Sequence, residues 1–169
     1  MATPLHEPTV AEDGVLRPTH LLVDRAALAD NLRAIAAHVA PAQEMPVLKA
    51  NAYGHGLVPV AQLFESIGAP YLAVAYLEEG IRLRRAGITT PILVLGGILG
   101  SQIPLFLEHD LTLTASSIDK LDTIEACAAT VGRAARVHLK IDTGMERIGV
   151  HWYSAGPLLE RALRCTNAK

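Results

Sequence analysis

An α/β fold built as a parallel (β/α) barrel is the architecture this sequence predicts, and three observations carry it. Strand candidates begin near Met45, Tyr71, Pro91, Leu111 and Arg136, about 20 to 26 residues apart, the spacing of successive βα units. The strands are short and near-continuously apolar, as in Ile92-Leu93-Val94-Leu95, which fits burial on both faces. Alternation of strand and helix allows either an open doubly wound sheet or a barrel. Neither GxGxxG nor GxxxxGK(S/T) follows the first strand, which favours the barrel. About five of the eight units of a TIM-type barrel are then present.

Residues 1–16 hold acidic groups and prolines with little periodicity and read as a mobile N-terminal arm, leaving 17–169 as the barrel portion. After Leu21-Leu22-Val23, Asp24 is an N-cap for a helix whose apolar positions Leu28, Leu32, Ile35, Ala36 and Val39 repeat at helical spacing until Pro41. The next helices are expected over Val58–Ile67, ending at Gly68, and Leu77–Ala86, ending at Gly87 behind a cluster of arginines. Gly100–His109 is a weaker pattern. Ser116 and Asp119 resemble a capping box for a helix with Ile118, Leu121, Ile124, Ala128 and Val131 on one face, stopping at Gly132. A last helix spans about Ser154–Cys165.

The chain has 169 residues, half of them hydrophobic but only 4% aromatic, with mean hydropathy +0.28. That length supports one domain with a sizeable core, and the aliphatic excess points to surface that needs covering. Fifteen basic and 17 acidic residues are evenly spread, so no basic face for nucleic acid and no polybasic membrane patch emerges. No apolar run approaches a membrane span. Cys127 and Cys165 lack zinc-type spacing and read as buried thiols of a reducing, cytoplasmic compartment. The seven histidines show no ligand-type pairing, so no metal site is expected.

Lys49 is the first residue with chemistry in it. An ammonium directly after the apolar run Met45–Leu48 is costly unless paired or employed, because burial favours the neutral amine, and a neutral amine is a nucleophile. The alternative is a lysine that caps the strand with its head in water. Along Arg136–Asp142 the odd positions are aliphatic and the even ones polar, a strict period of two. In a half-exposed antiparallel sheet that polar face would be wet. In a barrel it points His138, Lys140 and Asp142 into the lumen, toward the end where active sites form. The following turn carries Arg147, whose guanidinium can hold a carboxylate or phosphate, or can be an ordinary surface arginine. Tyr53, four residues beyond Lys49, is a loop anchor or a hydroxyl within reach of whatever Lys49 binds.

Val47–Gly56, VLKANAYGHG, and Lys140–Gly149, KIDTGMERIG, resemble the two signature segments of the N-terminal barrel of bacterial alanine racemases. Leu72–Gly96 and RPTHLLVDRAALADNLRAI near the start are similar to that family as well, so the likeness runs from about Arg17 onward. It implies an isomerase that uses pyridoxal 5′-phosphate to interconvert L- and D-alanine, supplies D-alanine for peptidoglycan and works as a cytoplasmic homodimer. By the same resemblance Lys49 binds the cofactor covalently and exchanges the α-proton on the D-alanine side. Tyr53 would hydrogen-bond the cofactor phosphate, and Arg147 would stand beside the ring's phenolic oxygen and grip the substrate carboxylate. Lys140 matches a lysine that is carbamylated in many family members. Glu146 departs from the pattern, standing where a glycine is common.

Family members continue through three more barrel strands and a C-terminal β domain that carries an opposed tyrosine base. The expectation is therefore of an N-terminal portion that ends where the sixth strand should begin, with unpaired edges on its first and fifth strands and no activity alone. Two other readings stand beside it: a racemase of broader amino-acid preference, and a non-catalytic barrel that only binds pyridoxal phosphate.

Overall fold

The computed structural model describes residues 21–169; the expected arm at 1–16 lies outside them. Helix α1 (Arg25–Val39) starts where the Asp24 carboxylate accepts from the Ala26 and Ala27 amides at 2.9 and 3.0 Å. The run Met45–Leu48 then enters the barrel wall through a single parallel bridge, Val47 to Ala73. Leu48 N donates to Ala73 O at 2.7 Å and Ala73 N to Pro46 O at 2.9 Å. Helices α2 (Lys49–Tyr53) and α3 (Leu57–Ser66) follow, then β1 (Leu72–Val74), α4 (Leu77–Arg85) and β2 (Ile92–Val94). A 3-10 turn at Gly100–Gln102 leads into α5 (Ile103–Glu108), β3 (Leu113–Ala115), α6 (Ile118–Val131) and β4 (Val137–Leu139).

Each wall strand pairs in parallel with the next. Leu72–Val74 matches Ile92–Val94 residue for residue, Leu93 bridges Thr112, and Leu113–Ala115 matches Val137–Leu139. Ala168 bridges Ala135, so the wall has a sixth member, and β4 is not the edge that the sequence led one to expect. Consecutive parallel neighbours with helical crossovers make the arc of a (β/α) barrel.

Alternation along the strands decides which side is core. Leu72, Val74, Ile92, Val94, Leu113 and Ala115 pack outward against Phe64, Leu77, Leu83, Ile103, Phe106, Leu121 and Ile124 of the helices. Full burial of each large aliphatic side chain contributes about 1.5–3 kcal/mol. Residues of the opposite parity, Val47, Ala73, Leu93 and Thr112, lie side by side in register on the concave face. Two residues further along each of three wall strands, the same parity places Lys49, Ala75 and Leu95 at the carboxyl rim.

The opposite rim is tied by charged side chains. Arg84 of α4 donates to the carbonyls of Ile88, Thr90, His109 and Asp110 at 2.8 to 3.1 Å. Glu65 of α3 accepts from the amides and hydroxyls of Thr89 and Thr90 just ahead of β2. Glu125 of α6 does the same for Thr166, Asn167 and Ala168, ahead of the sixth wall strand.

Several expectations are corrected. The cap of α6 is Ser117, whose hydroxyl accepts from Lys120 N at 3.2 Å, not Ser116 paired with Asp119. The expected fifth strand breaks at Lys140, and Ile141–Asp142 form a separate β5 that pairs in parallel with β6 (Val150–His151), a strand the sequence pattern did not indicate. The last helix, α7 (Gly156–Ala162), is shorter than expected at both ends: Trp152–Ser154 form a 3-10 turn ahead of it, and it stops at Ala162. Val137 and Leu139 are only half-buried, since the groove they share with Leu121, Leu159 and Leu163 is open. No helix among the described residues is long and apolar enough to cross a membrane.

Candidate active site

A cleft of about 540 Å³ opens at the carboxyl rim, within the roughly 300–1,000 Å³ of small-molecule sites. Lys49, Lys140 and Arg147 line it together with Glu79, and Ala75, Leu95, Ile148, Gly96 and Gly97 supply the apolar and backbone walls. Lys49 arrives because it continues the inward parity of Val47, and Lys140 because it continues that of His138. Arg147 is carried in on the loop between β5 and β6. Tyr53 does not line this cleft; it is 60% exposed, and its ring centre lies 6.0 Å from Lys49 Nζ.

The chain after Lys49 is unusual. Ala50, Asn51, Ala52 and Tyr53 all have φ between 52° and 57°, a turn of left-handed helix. For L-residues this costs about 1–2 kcal/mol each, so the surroundings must hold it. Asn51 Oδ1 accepts from Leu57 N at 2.9 Å, His55 Nδ1 donates to Ala52 O at 2.9 Å, and Gly56 N donates to Asn51 O at 2.9 Å. Glu79 adds a fourth tie, its Oε1 accepting from Ala50 N at 2.7 Å. Its other oxygen takes the Ala75 and Tyr76 amides at 2.9 and 3.2 Å.

The arginine loop hangs on Asp142, which is buried at 5% exposure. Its carboxylate accepts from Gly144 N at 2.8 Å and Arg147 N at 3.0 Å. Gly144 first, then the amides of Glu146, Arg147 and Met145, hold this carboxyl below its ordinary value against the opposing effect of desolvation. Gly149 closes the loop at φ 114°, where an added Cβ would stand 2.7 Å from the Lys140 carbonyl oxygen. Glu146 sits in the left-handed region at φ 55°, the conformation a glycine adopts without strain, and its carboxylate lies 3.6 Å from His151 Nδ1.

Electrostatically the cleft is cationic. Among the described residues none of Lys49, Lys140 and Arg147 forms an ion pair, and the one carboxylate lining the cleft, Glu79, already accepts three backbone N–H bonds. Three unpaired cations around apolar walls suit a small ligand with carboxylate or phosphate groups. Lys49, Lys140 and Arg147 stand in the cleft as expected from the sequence. Glu79 was not expected there, its signal being its place in the first turn of a helix following a strand end, and Asp142, expected in the lumen, has a turn-forming role that Asp-Thr-Gly signals.

A concave arc of parallel strands with a lysine at its carboxyl rim and further cations beside it is a partial (β/α) barrel with a cationic cleft at the rim. Residues 23–169 match the family model described as alanine racemase, N-terminal domain, and the chain belongs to that family. An alanine racemase of Desulforamulus reducens is 50% identical over 124 residues, 73% of this chain and 34% of the relative. One from Latilactobacillus sakei is 44% identical over 141 residues, 81% of this chain and 37% of the relative. Among solved structures, the Bacillus anthracis alanine racemase with bound L-Ala-P aligns with TM-score 0.75 and 37% identity, covering 87% of this chain and 38% of that one. A histidine racemase from Leuconostoc mesenteroides aligns with TM-score 0.78 and 30% identity, covering 85% and 39%. The chain thus spans little more than a third of the length of the relatives it matches.

Proposed function

We propose that these residues are the cofactor-bearing part of a pyridoxal phosphate-dependent racemase that interconverts L- and D-alanine. The observation that supports this most is the meeting of Lys49, Lys140 and Arg147 in one cleft at the carboxyl rim. The donor set fits the cofactor: an amine for its aldehyde and a guanidinium for its phenolic oxygen and a substrate carboxylate, with room between apolar walls. When bound, pyridoxal phosphate supplies an electron sink that makes the α-proton of an amino acid labile.

The chain's own residues have distinct tasks. Lys49 would hold the cofactor through its Nζ, and the same amine would take and return the α-proton of the bound amino acid on the D-alanine side. Arg147 binds the substrate carboxylate through its fork of N–H donors, oriented by the loop that Asp142 fixes. Tyr53, beside Lys49 but outside the cleft lining, would give its hydroxyl to a phosphate that projects from the cleft on that side. Carbamylation of Lys140 would convert one of three neighbouring cations into an anion beside Arg147, relieving like-charge repulsion and steadying the guanidinium.

Cofactor absorbance that forms on adding pyridoxal phosphate, shifts on adding D-alanine and vanishes in Lys49→Ala tests the reading. A shift with D-histidine or other amino acids as large as with D-alanine would favour a racemase of broader preference, which the likeness to a histidine racemase also supports. Cofactor uptake with no response to any amino acid would leave only a binding barrel. In the complete protein, action as a cytoplasmic homodimer that provides D-alanine for peptidoglycan is part of the same proposal.

A further inference from the structure

We propose that Glu79 is a positioning residue for Lys49, locking the peptide plane that follows the lysine to the neighbouring strand's exit loop. This rests on Lys49 being the reactive amine. Glu79 is the third residue of α4, and a glutamate there ordinarily turns back to the amides at the start of its own helix. Its Oε2 does so, accepting from Ala75 and Tyr76. The bond to Ala50 serves no helix cap: it spans 29 residues of sequence and, at 2.7 Å, is the shortest of the three. Because the peptide is planar, fixing the Ala50 N–H fixes the Lys49 carbonyl, and with Leu48 N held by Ala73 O at 2.7 Å on the other side it limits the directions in which the lysine side chain can leave its Cα. The tie falls at the first residue of the left-handed turn, where the backbone has the least intrinsic reason to stay.

The two loops joined by this one carboxylate follow adjacent wall strands, bridged through Val47 and Ala73, and both line the cleft. A carboxylate suits the task because both oxygens only accept. Glutamine offers one acceptor oxygen and turns an NH₂ toward the other loop's N–H, so it can keep one loop and not both. Aspartate keeps the charge but is one methylene too short to span both loops.

The test combines amide hydrogen exchange with cofactor binding in the parent, Glu79→Gln and Glu79→Asp. The Ala50 amide is expected to be protected in the parent without any cofactor, and its protection to fall at least about tenfold in Glu79→Asp; in Glu79→Gln a loss of that size is expected at one of the two loops, at Ala50 or at Ala75 and Tyr76, while amides of β1 to β3 keep theirs. Pyridoxal phosphate is expected to bind about tenfold more weakly to both, with an altered circular dichroism band of the bound cofactor. If Glu79→Gln does not fold, Glu79→Asp and the parent carry the comparison. An Ala50 amide that exchanges freely in the parent overturns the proposal, as does unchanged affinity and dichroism in a folded variant whose Ala50 amide has lost protection. A parent chain that keeps Glu79-dependent protection but takes up no pyridoxal phosphate overturns the reading of Lys49 instead.

Discussion

Asp142 accepts the backbone N–H of Arg147 at 3.0 Å, so the segment that delivers Lys140 to the cleft also fixes the loop that delivers the arginine. Asp142→Ala removes this bond and the one from Gly144 N and frees the loop while leaving the wall strands in register. The expected outcome is a protein that still unfolds cooperatively but binds pyridoxal phosphate or a carboxylate ligand about tenfold more weakly by titration. Because the carboxyl is held below its ordinary value, the loop is also expected to loosen on acidification below that range, and not on raising the pH.

Glu125 sets a second acid limit, on stability. The Thr166 amide first, then the amides of Ala168 and Asn167 and the Asn167 side chain, lower its carboxyl from 4.5 to about 2, against the opposing effect of burial. The folded value lies below the unfolded one, so the unfolded chain binds more protons in this interval. The stabilisation is complete above about pH 4.5 and is lost as pH falls toward 2. Urea unfolding across that window is expected to show the loss in the parent and a flatter profile in Glu125→Gln, which is less stable at neutral pH by about 1–3 kcal/mol.

Arg84 ties α4 to two loops of the amino rim. Its planar fork reaches four carbonyls from these two loops, a geometry that a lysine ammonium cannot match. Arg84→Lys is expected to lower unfolding free energy by about 2–3 kcal/mol in denaturant titration, with cofactor binding unchanged at concentrations where the protein stays folded.

Gly149→Ala tests the close approach of β6 to Lys140. The positive φ and the contact with the Lys140 carbonyl oxygen both oppose a Cβ. A destabilisation of about 1–3 kcal/mol is expected, together with a shift of the amide resonances of Lys140 and Val150, whose hydrogen bond crosses this point at 3.1 Å.

Hydrophobic period and turn residues made the wall strands, α1, α4 and α6 legible, since these depend on local pattern and on capping by Asp24, Gly87 and Gly132. Alternation along Arg136–Asp142, taken together with the barrel architecture, aimed Lys140 inward. What was not legible depends on contacts far apart in sequence. The left-handed turn after Lys49 is held in part by Glu79, 29 residues away, and β6 exists through its parallel pairing with Ile141 and Asp142 rather than through any alternation of its own. Tyr53 was placed by proximity in sequence to the lysine, and the left-handed turn leaves its ring beside the ammonium and outside the cleft lining.

The role of Lys49 is tested most directly by where the cofactor attaches. Borohydride reduction of the chain saturated with pyridoxal phosphate, followed by peptide mass mapping, is expected to find the pyridoxyl group on Lys49 and to find none after Lys49→Ala. Label on Lys120, Lys140 or Lys169 in preference to Lys49, or undiminished labelling of the Lys49→Ala chain, would contradict it.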